Sequence, residues 1–304
     1  MLAVDTAMGQ SRVSALFNRC DNAGRWGNDD QRGTLNYISV SQRLAALALV
    51  RVGDIVSLGK VIRTGSPGER TTGARLTMID LSDAAKDTLS LTVHGFEITH
   101  LDAVGHNAVD GRMYNGRDAH RSITPEGLKF GAVDAAGEGV LTRGVLLDVA
   151  QARDVDYLPV GTRIGPDDLE AAEDLLGVRV GRGDAVFVRS GRDRRLGVCS
   201  NPDPSADEAR EGLDVDAVLW LHEREVSVYS GDCIEALPST EPGLDMPLHQ
   251  LGAAAMGLAI LDNPDIEGLA AACARHGRHD FALVIAPLKI QGGTGSAVNP
   301  LAIF

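Results

Sequence analysis

Three histidines and an aspartate, His94, His100, Asp102 and His106, fall within a short span of a chain that has only 8 histidines in all. Imidazole and carboxylate groups hold divalent transition metals, and a histidine beside such a cation can move protons near neutral pH. Residues two apart on an extended segment point the same way, about 6.6 Å apart at Cα, so His100 and Asp102 can converge on one cation. Six residues of regular strand would set His94 about 20 Å from His100, so it can join them only if the backbone bends sharply. The cluster reads as the core of a metal-dependent hydrolytic site. The competing reading is a hydrogen-bonded polar network in a loop.

A second set of chemically useful residues lies in the last third. His249 follows Pro247 at the start of an alanine-rich stretch, and Asp262 closes the apolar run Ala259-Ile260-Leu261, so both can face a cleft. His222 falls on the apolar face of a predicted helix over Asp214–Arg224, where a satisfied core histidine is the simpler reading. Phe96, Trp26 and Tyr114 can supply an apolar wall for a planar or cyclic substrate, although each can equally be core. No Gly-x-Ser-x-Gly elbow follows a strand, which argues against a Ser/His/Asp hydrolase. The glycine-rich stretch 292–296 lacks the Gly-Lys-Ser/Thr ending and following helix of a phosphate loop, so it reads as a turn.

The elements that must position these residues alternate between strand and helix. Gly144–Val149 and Asp184–Arg189 are apolar runs of buried-strand type, and between them Pro166, Asp167 and Asp168 start a helix that stops near Gly177. Further strands are predicted over Asp54–Ile62, Leu89–Phe96, Val226–Ser230 and Phe281–Pro287, with helices over Ser41–Val52 and Ile266–His276. A loop is expected over 63–73 and a hairpin over Asp110–Gly116. Arg25–Asn36 sets a tryptophan among turn formers, either as a loop anchored by a buried indole or as a lid over the site. This is the pattern of an α/β domain with a mixed sheet and flanking helices, spanning 1–304 with 1–40 as an N-terminal extension.

A net charge of -13 weighs against nucleic acid or an anionic membrane as partner, and the arginines of Arg189–Arg195 read as a solvated loop. The partner expected is a small-molecule substrate. The scattered cysteines Cys20, Cys199, Cys233 and Cys273, without a signal-peptide pattern, point to reduced thiols in the cytoplasm. No run of about twenty apolar residues predicts a transmembrane helix.

Thr99, His100, Asp102, Ala103 and His106, with Pro247-Leu248-His249 and the terminal Ala286-Pro287-Leu288-Lys289-Ile290 followed by spaced glycines, resemble the metal-dependent cyclase-like hydrolases. This is the superfamily of bacterial kynurenine formamidase and isatin hydrolase. The segments from Trp26 to Asn36 and from Trp220 to Glu225 look like those of its longer bacterial members. The resemblance runs from about residue 25 to the end of the chain. It implies a swivelling β/β/α fold, usually dimeric, with zinc or manganese held by a His-x-x-x-His-x-Asp motif. Carried over, His100 and Asp102 match ligands, His106 the proton-transfer histidine, His249 a distal histidine and Asp262 an acidic ligand.

The activity implied is hydrolysis of a cyclic or aryl amide, imide or lactone by metal-activated hydroxide. Two departures stand out. Phe96 occupies the position of the motif's first histidine, and Asp262 replaces the usual glutamate. The site can therefore hold one metal rather than two, recruit Glu97 or His94, or have lost metal altogether. A metal-free binding or scaffold protein on the same fold, and a metal-dependent cyclase or lyase, are the alternatives.

Overall fold

The computed structural model describes residues 12–64, 73–80, 84–198 and 209–304. Cys199 and most of the loop expected over 63–73 lie outside the described residues. The strands used below are β1 (Ile55–Ser57), β2 (Ala74–Asp80), β3 (Lys86–Leu91), β4 (His100–Asp102), β5 (Val140–Asp148), β6 (Ala185–Arg189), β7 (Val228–Gly231), β8 (Ala259–Asp262), β9 (Asp280–Ile285), β10 (Gly295–Ala297) and β11 (Leu301–Ile303). All but β2 and β3 form one 9-stranded sheet in the order β1-β11-β9-β5-β6-β7-β8-β4-β10. Its centre, β5 to β8, is parallel. The strands on either side of that centre pair antiparallel.

The central strands read as continuous apolar runs because both of their faces are covered. Alternate side chains feed two cores: Val145, Leu147, Val186 and Val188 enter one, while Leu146, Ala185 and Phe187 enter the other. Helices α2 (Pro166–Leu176) and α3 (Val215–Glu223) cover the first face, and α4 (Ile266–His276) covers the second. Each fully buried Leu or Val contributes about 1.5–3 kcal/mol relative to an exposed one. Gly144 is required by packing: a Cβ there would lie 2.2 Å from the Phe281 ring.

Local signals explain the helices. Pro166 sits in the first turn of α2 with Asp167 and Asp168, and Gly177 stops it in the left-handed conformation. Helix α1 (Val40–Leu47) starts just ahead of the expected Ser41 because Ser39 with Gln42 forms a capping box, and it ends at Leu47 rather than Val52.

Two strand expectations are corrected. The strand expected over Asp54–Ile62 is only Ile55–Ser57, and the one expected over Leu89–Phe96 ends at Leu91. Residues 94–98 form a bend with Gly95 at φ +127°, a conformation that glycine alone adopts readily. β2 and β3 make a separate hairpin.

The sheet presents Arg189, Gly231 and Asp262 at the carboxyl ends of parallel strands, where open α/β sheets bind ligands. Antiparallel β4 enters the same end, with His100 in register with Asp262 and Asp102 with Gly295.

Candidate metal centre

His100 is 1% exposed and donates from Nδ1 to the Ile98 carbonyl at 2.8 Å. In the neutral ring this leaves the Nε2 lone pair facing Asp102 Oδ1 at 3.4 Å and Asp262 Oδ2 at 3.7 Å. A backbone acceptor that fixes the ring of a ligating histidine is a common feature of metal sites.

The bend at Gly95 brings His94 back to the cluster, against the expectation from regular strand geometry. Its Nδ1 lies 3.0 Å from Asp102 Oδ1, its Nε2 is 2.9 Å from Thr294 Oγ1, and its ring stacks on His106 with centroids 3.6 Å apart. With His100 Nε2 at 3.4 Å, Asp102 Oδ1 is the meeting point of two imidazoles. Two sets of ligand atoms fall within 4.8 Å of one another: His94, Asp102 and His106, and His100, Asp102 and Asp262. Asp102 is common to both.

These groups shift one another's protonation. Burial works against a charged His100, but Asp102 and Asp262 outweigh it and raise the ring to about 9. Burial likewise opposes charge on Asp102, and the imidazoles of His100, His94 and His106 overcome it and hold the carboxyl below the usual range. Burial lowers His106 to about 4; Asp102 opposes that shift, while His94, His249 and His100 reinforce it. Asp262 is pushed up to about 6 by burial and by the Asp102 charge. Metal ligands bind deprotonated, so a divalent cation at this set would displace protons as it entered.

His249 lines the same cavity. It lies on a wide-turned helical segment, Leu248–Met256, and its Nδ1 is 2.9 Å from Glu235 Oε2. Glu235 is fully buried and also accepts from Arg210 Nη2. Burial disfavours charge on His249, yet Glu235 raises it to about 9. A carboxylate on Nδ1 orients the ring and turns Nε2 toward the cavity, the carboxylate-histidine arrangement seen around ligated metals.

Residues 40–236 match the model of the cyclase family, described as "Putative cyclase". The chain belongs to this family. A crystal structure of a novel cyclase is 27% identical, covering 94% of this chain and 100% of the other with a TM-score of 0.82. Isatin hydrolase A from Ralstonia solanacearum is 24% identical over 87% of this chain and 97% of its own, with a TM-score of 0.58. An isatin hydrolase bound to the product analogue thioisatinate is 20% identical over 87% and 98%, with a TM-score of 0.57. The two isatin hydrolases share the fold. A search of curated protein sequences gave no match.

In this cyclase-family chain the histidines and carboxylates open into a cavity of about 180 Å³. Phe96, 36% exposed, forms part of its wall with Ile234, Leu237 and Met246. Trp26 and Tyr114, expected to help form that wall, do not line it. Tyr114 is 1% exposed and donates to Asp30 at 2.8 Å, and Trp26 meets Tyr37 edge to face at 5.0 Å. The Arg25–Asn36 stretch is an anchored loop. Asn115 Nδ2 donates to the carbonyls of Gly27, Asn28 and Asp30, and Thr34 Oγ1 donates to the Ser227 carbonyl.

Glu97 lines a neighbouring surface recess, and His222 sits half-buried beside Asn22, away from the cavity. Glu235 and Arg210 escaped the sequence reading. Glu235 follows β7 in a segment without helix or strand periodicity, so nothing in its spacing marked it out.

Proposed function

We propose that the chain is a metal-dependent hydrolase that opens a cyclic or aryl amide, imide or lactone. The observation that carries this reading is Asp102, a buried carboxylate whose Oδ1 lies 3.0 Å from His94 Nδ1 and 3.4 Å from His100 Nε2, with Asp262 3.7 Å from the same His100 nitrogen. Burying two carboxylates side by side is costly, and a shared cation is the compensation this donor set fits. His100, Asp102 and Asp262 would hold it, with His94 the histidine recruited where Phe96 replaces the motif's ligand, and His249 completing the far side. Nitrogen and oxygen donors suit zinc or manganese.

A divalent cation, when bound, would polarise a carbonyl and make hydroxide available near neutral pH. The chain's own groups do the rest. His106, kept neutral by burial, takes the water's proton on a ring nitrogen and returns it to the leaving nitrogen or oxygen. Stacking on His94 holds its ring in place. Phe96 and its apolar neighbours exclude bulk water and hold a flat substrate.

A cytoplasmic location and a homodimer or higher oligomer belong to the same proposal. The β2–β3 hairpin supports an oligomer, since Leu76, Met78, Ile79 and Leu89 on it are all exposed and an isolated two-stranded ribbon is marginal in water.

The test is metal analysis of protein purified without chelator, followed by turnover of small cyclic imides and lactones in labelled water. Zinc or manganese near stoichiometry and one labelled oxygen in the product are expected. Less than about a tenth of an equivalent, with no activation on reconstitution, would overturn the reading in favour of a metal-free scaffold. Turnover without label uptake would point to a lyase or cyclase.

A further inference from the structure

We infer that Arg210 is the substrate's anchoring residue and that the substrate is a planar molecule bearing a carboxylate beyond its scissile carbonyl. This rests on the hydrolase reading above and deepens it. Arg210 is 5% exposed, and its backbone is pinned by paired hydrogen bonds with Leu237 at 3.2 and 3.0 Å. Its Nε donates to the Glu235 carbonyl at 3.1 Å and its Nη2 to Glu235 Oε1. Nη1 makes no hydrogen bond among the described residues, and Arg210 lines the cavity. A guanidinium held on two of its three nitrogens, with the third open, is preorganised to meet an acceptor.

Arg210 lines both the metal cavity and a smaller recess of about 50 Å³ beside it. Phe96 and Asp262 are shared by the two as well. The guanidinium carbons of Arg210 and Arg192 lie 5.7 and 5.8 Å from the centre of the Phe96 ring. A flat substrate resting on Phe96 with its reacting carbonyl at His100 and Asp102 would therefore extend toward Arg210. Of the acids lining the recess, Asp193 is paired with Lys60 at 2.6 Å, and Glu211 lies 3.8 Å from Arg192 and 3.0 Å from Arg195. Asp232 is held by Ser190, and none of these acids is bonded to Arg210. With Nε and Nη2 on Glu235, Nη1 is left as a charged donor, and a carboxylate is the acceptor that makes the stronger, charge-assisted bond with it.

The experiment measures calorimetric binding of phthalate and of benzamide to the metal-loaded protein, with metal content determined on every sample. Arg210→Met should weaken phthalate about tenfold to a hundredfold, and Arg210→Lys, which keeps a cation beside Glu235, about tenfold, while benzamide, compared at equal metal loading, weakens far less in both variants. If phthalate binding is unaffected in both variants, or both probes weaken equally, the inference is overturned, because the carboxylate is then held by the metal alone or Arg210 is only structural. A wild-type chain that discriminates through Arg210 yet holds no zinc or manganese would sink the hydrolase reading and leave Arg210's role standing.

Discussion

His100, Asp102 and Asp262 stand on neighbouring strands of one sheet, whereas His94 and Phe96 hang from a bend a few residues upstream. The first three are placed by the ladder itself: His100 is in register with Asp262, and Asp102 with Gly295. Reinforcement comes from the buried rows on either side, which tolerate little movement. His94 depends instead on Gly95, on stacking against His106 and on Thr294. One half of the centre is thus fixed by main chain and the other by side-chain packing. Cation binding should tolerate damage to the second half far better than to the first.

The largest effect is expected from that contrast. Asp102→Asn should abolish metal retention, whereas His94→Ala should weaken affinity about ten- to a hundredfold, as losing a supporting ligand does. Competition with a metal-binding dye would show it, and equal losses would erase the distinction between the halves.

Next in size, His106→Ala should keep its metal and lose about 10²- to 10⁴-fold in turnover, the range for a lost acid-base group. Metal loss matching that of Asp102→Asn would instead make His106 a ligand of the set it forms with His94 and Asp102.

The smallest effect concerns Asp232, which follows β7 on the strand-held side. Its Oδ1 accepts from Ser190 N at 2.7 Å and Ser190 Oγ at 2.9 Å, but burial outweighs these bonds and pushes the carboxyl up to about 6. The folded chain therefore binds this proton more tightly than the unfolded chain, whose carboxyl titrates near 3.9. The resulting stability is fully present below about pH 4 and is lost as pH rises through about 6. Asp232→Asn should gain on wild type across that window by about 2–3 kcal/mol. Urea unfolding at both ends of the window checks it; a constant difference would show that the carboxyl titrates normally.

The same contrast governs what could be read beforehand. Helix α2 and the strand ending at Asp262 were legible because proline, paired aspartates and an apolar run are local signals that the fold does not override. Two-residue spacing likewise paired His100 with Asp102. His94 could join them only through a sharp bend, and Gly95 supplies it. Trp26 and Tyr114 were candidates for the cavity wall because residue type alone does not say which side of a loop an aromatic ring faces. Glu235 and Arg210 were invisible: their importance comes from contacts with His249 and with each other across the fold, and neither lies in a periodic segment.

Glu235 has a last consequence. With one oxygen it accepts from Arg210 and with the other it meets His249, so the two walls of the cavity share one buried carboxylate. A ligand that draws Arg210 forward alters the field and the position of the partner that orients His249, and a cation that draws on His249 does the same to Arg210. Thermodynamic linkage makes such influence mutual: whatever factor cation binding adds to the affinity for a carboxylate, the carboxylate returns to the cation. If a cation and a carboxylate bind as proposed, the site would act as a cooperative unit, in which neither ligand's affinity is a property of its own contacts alone.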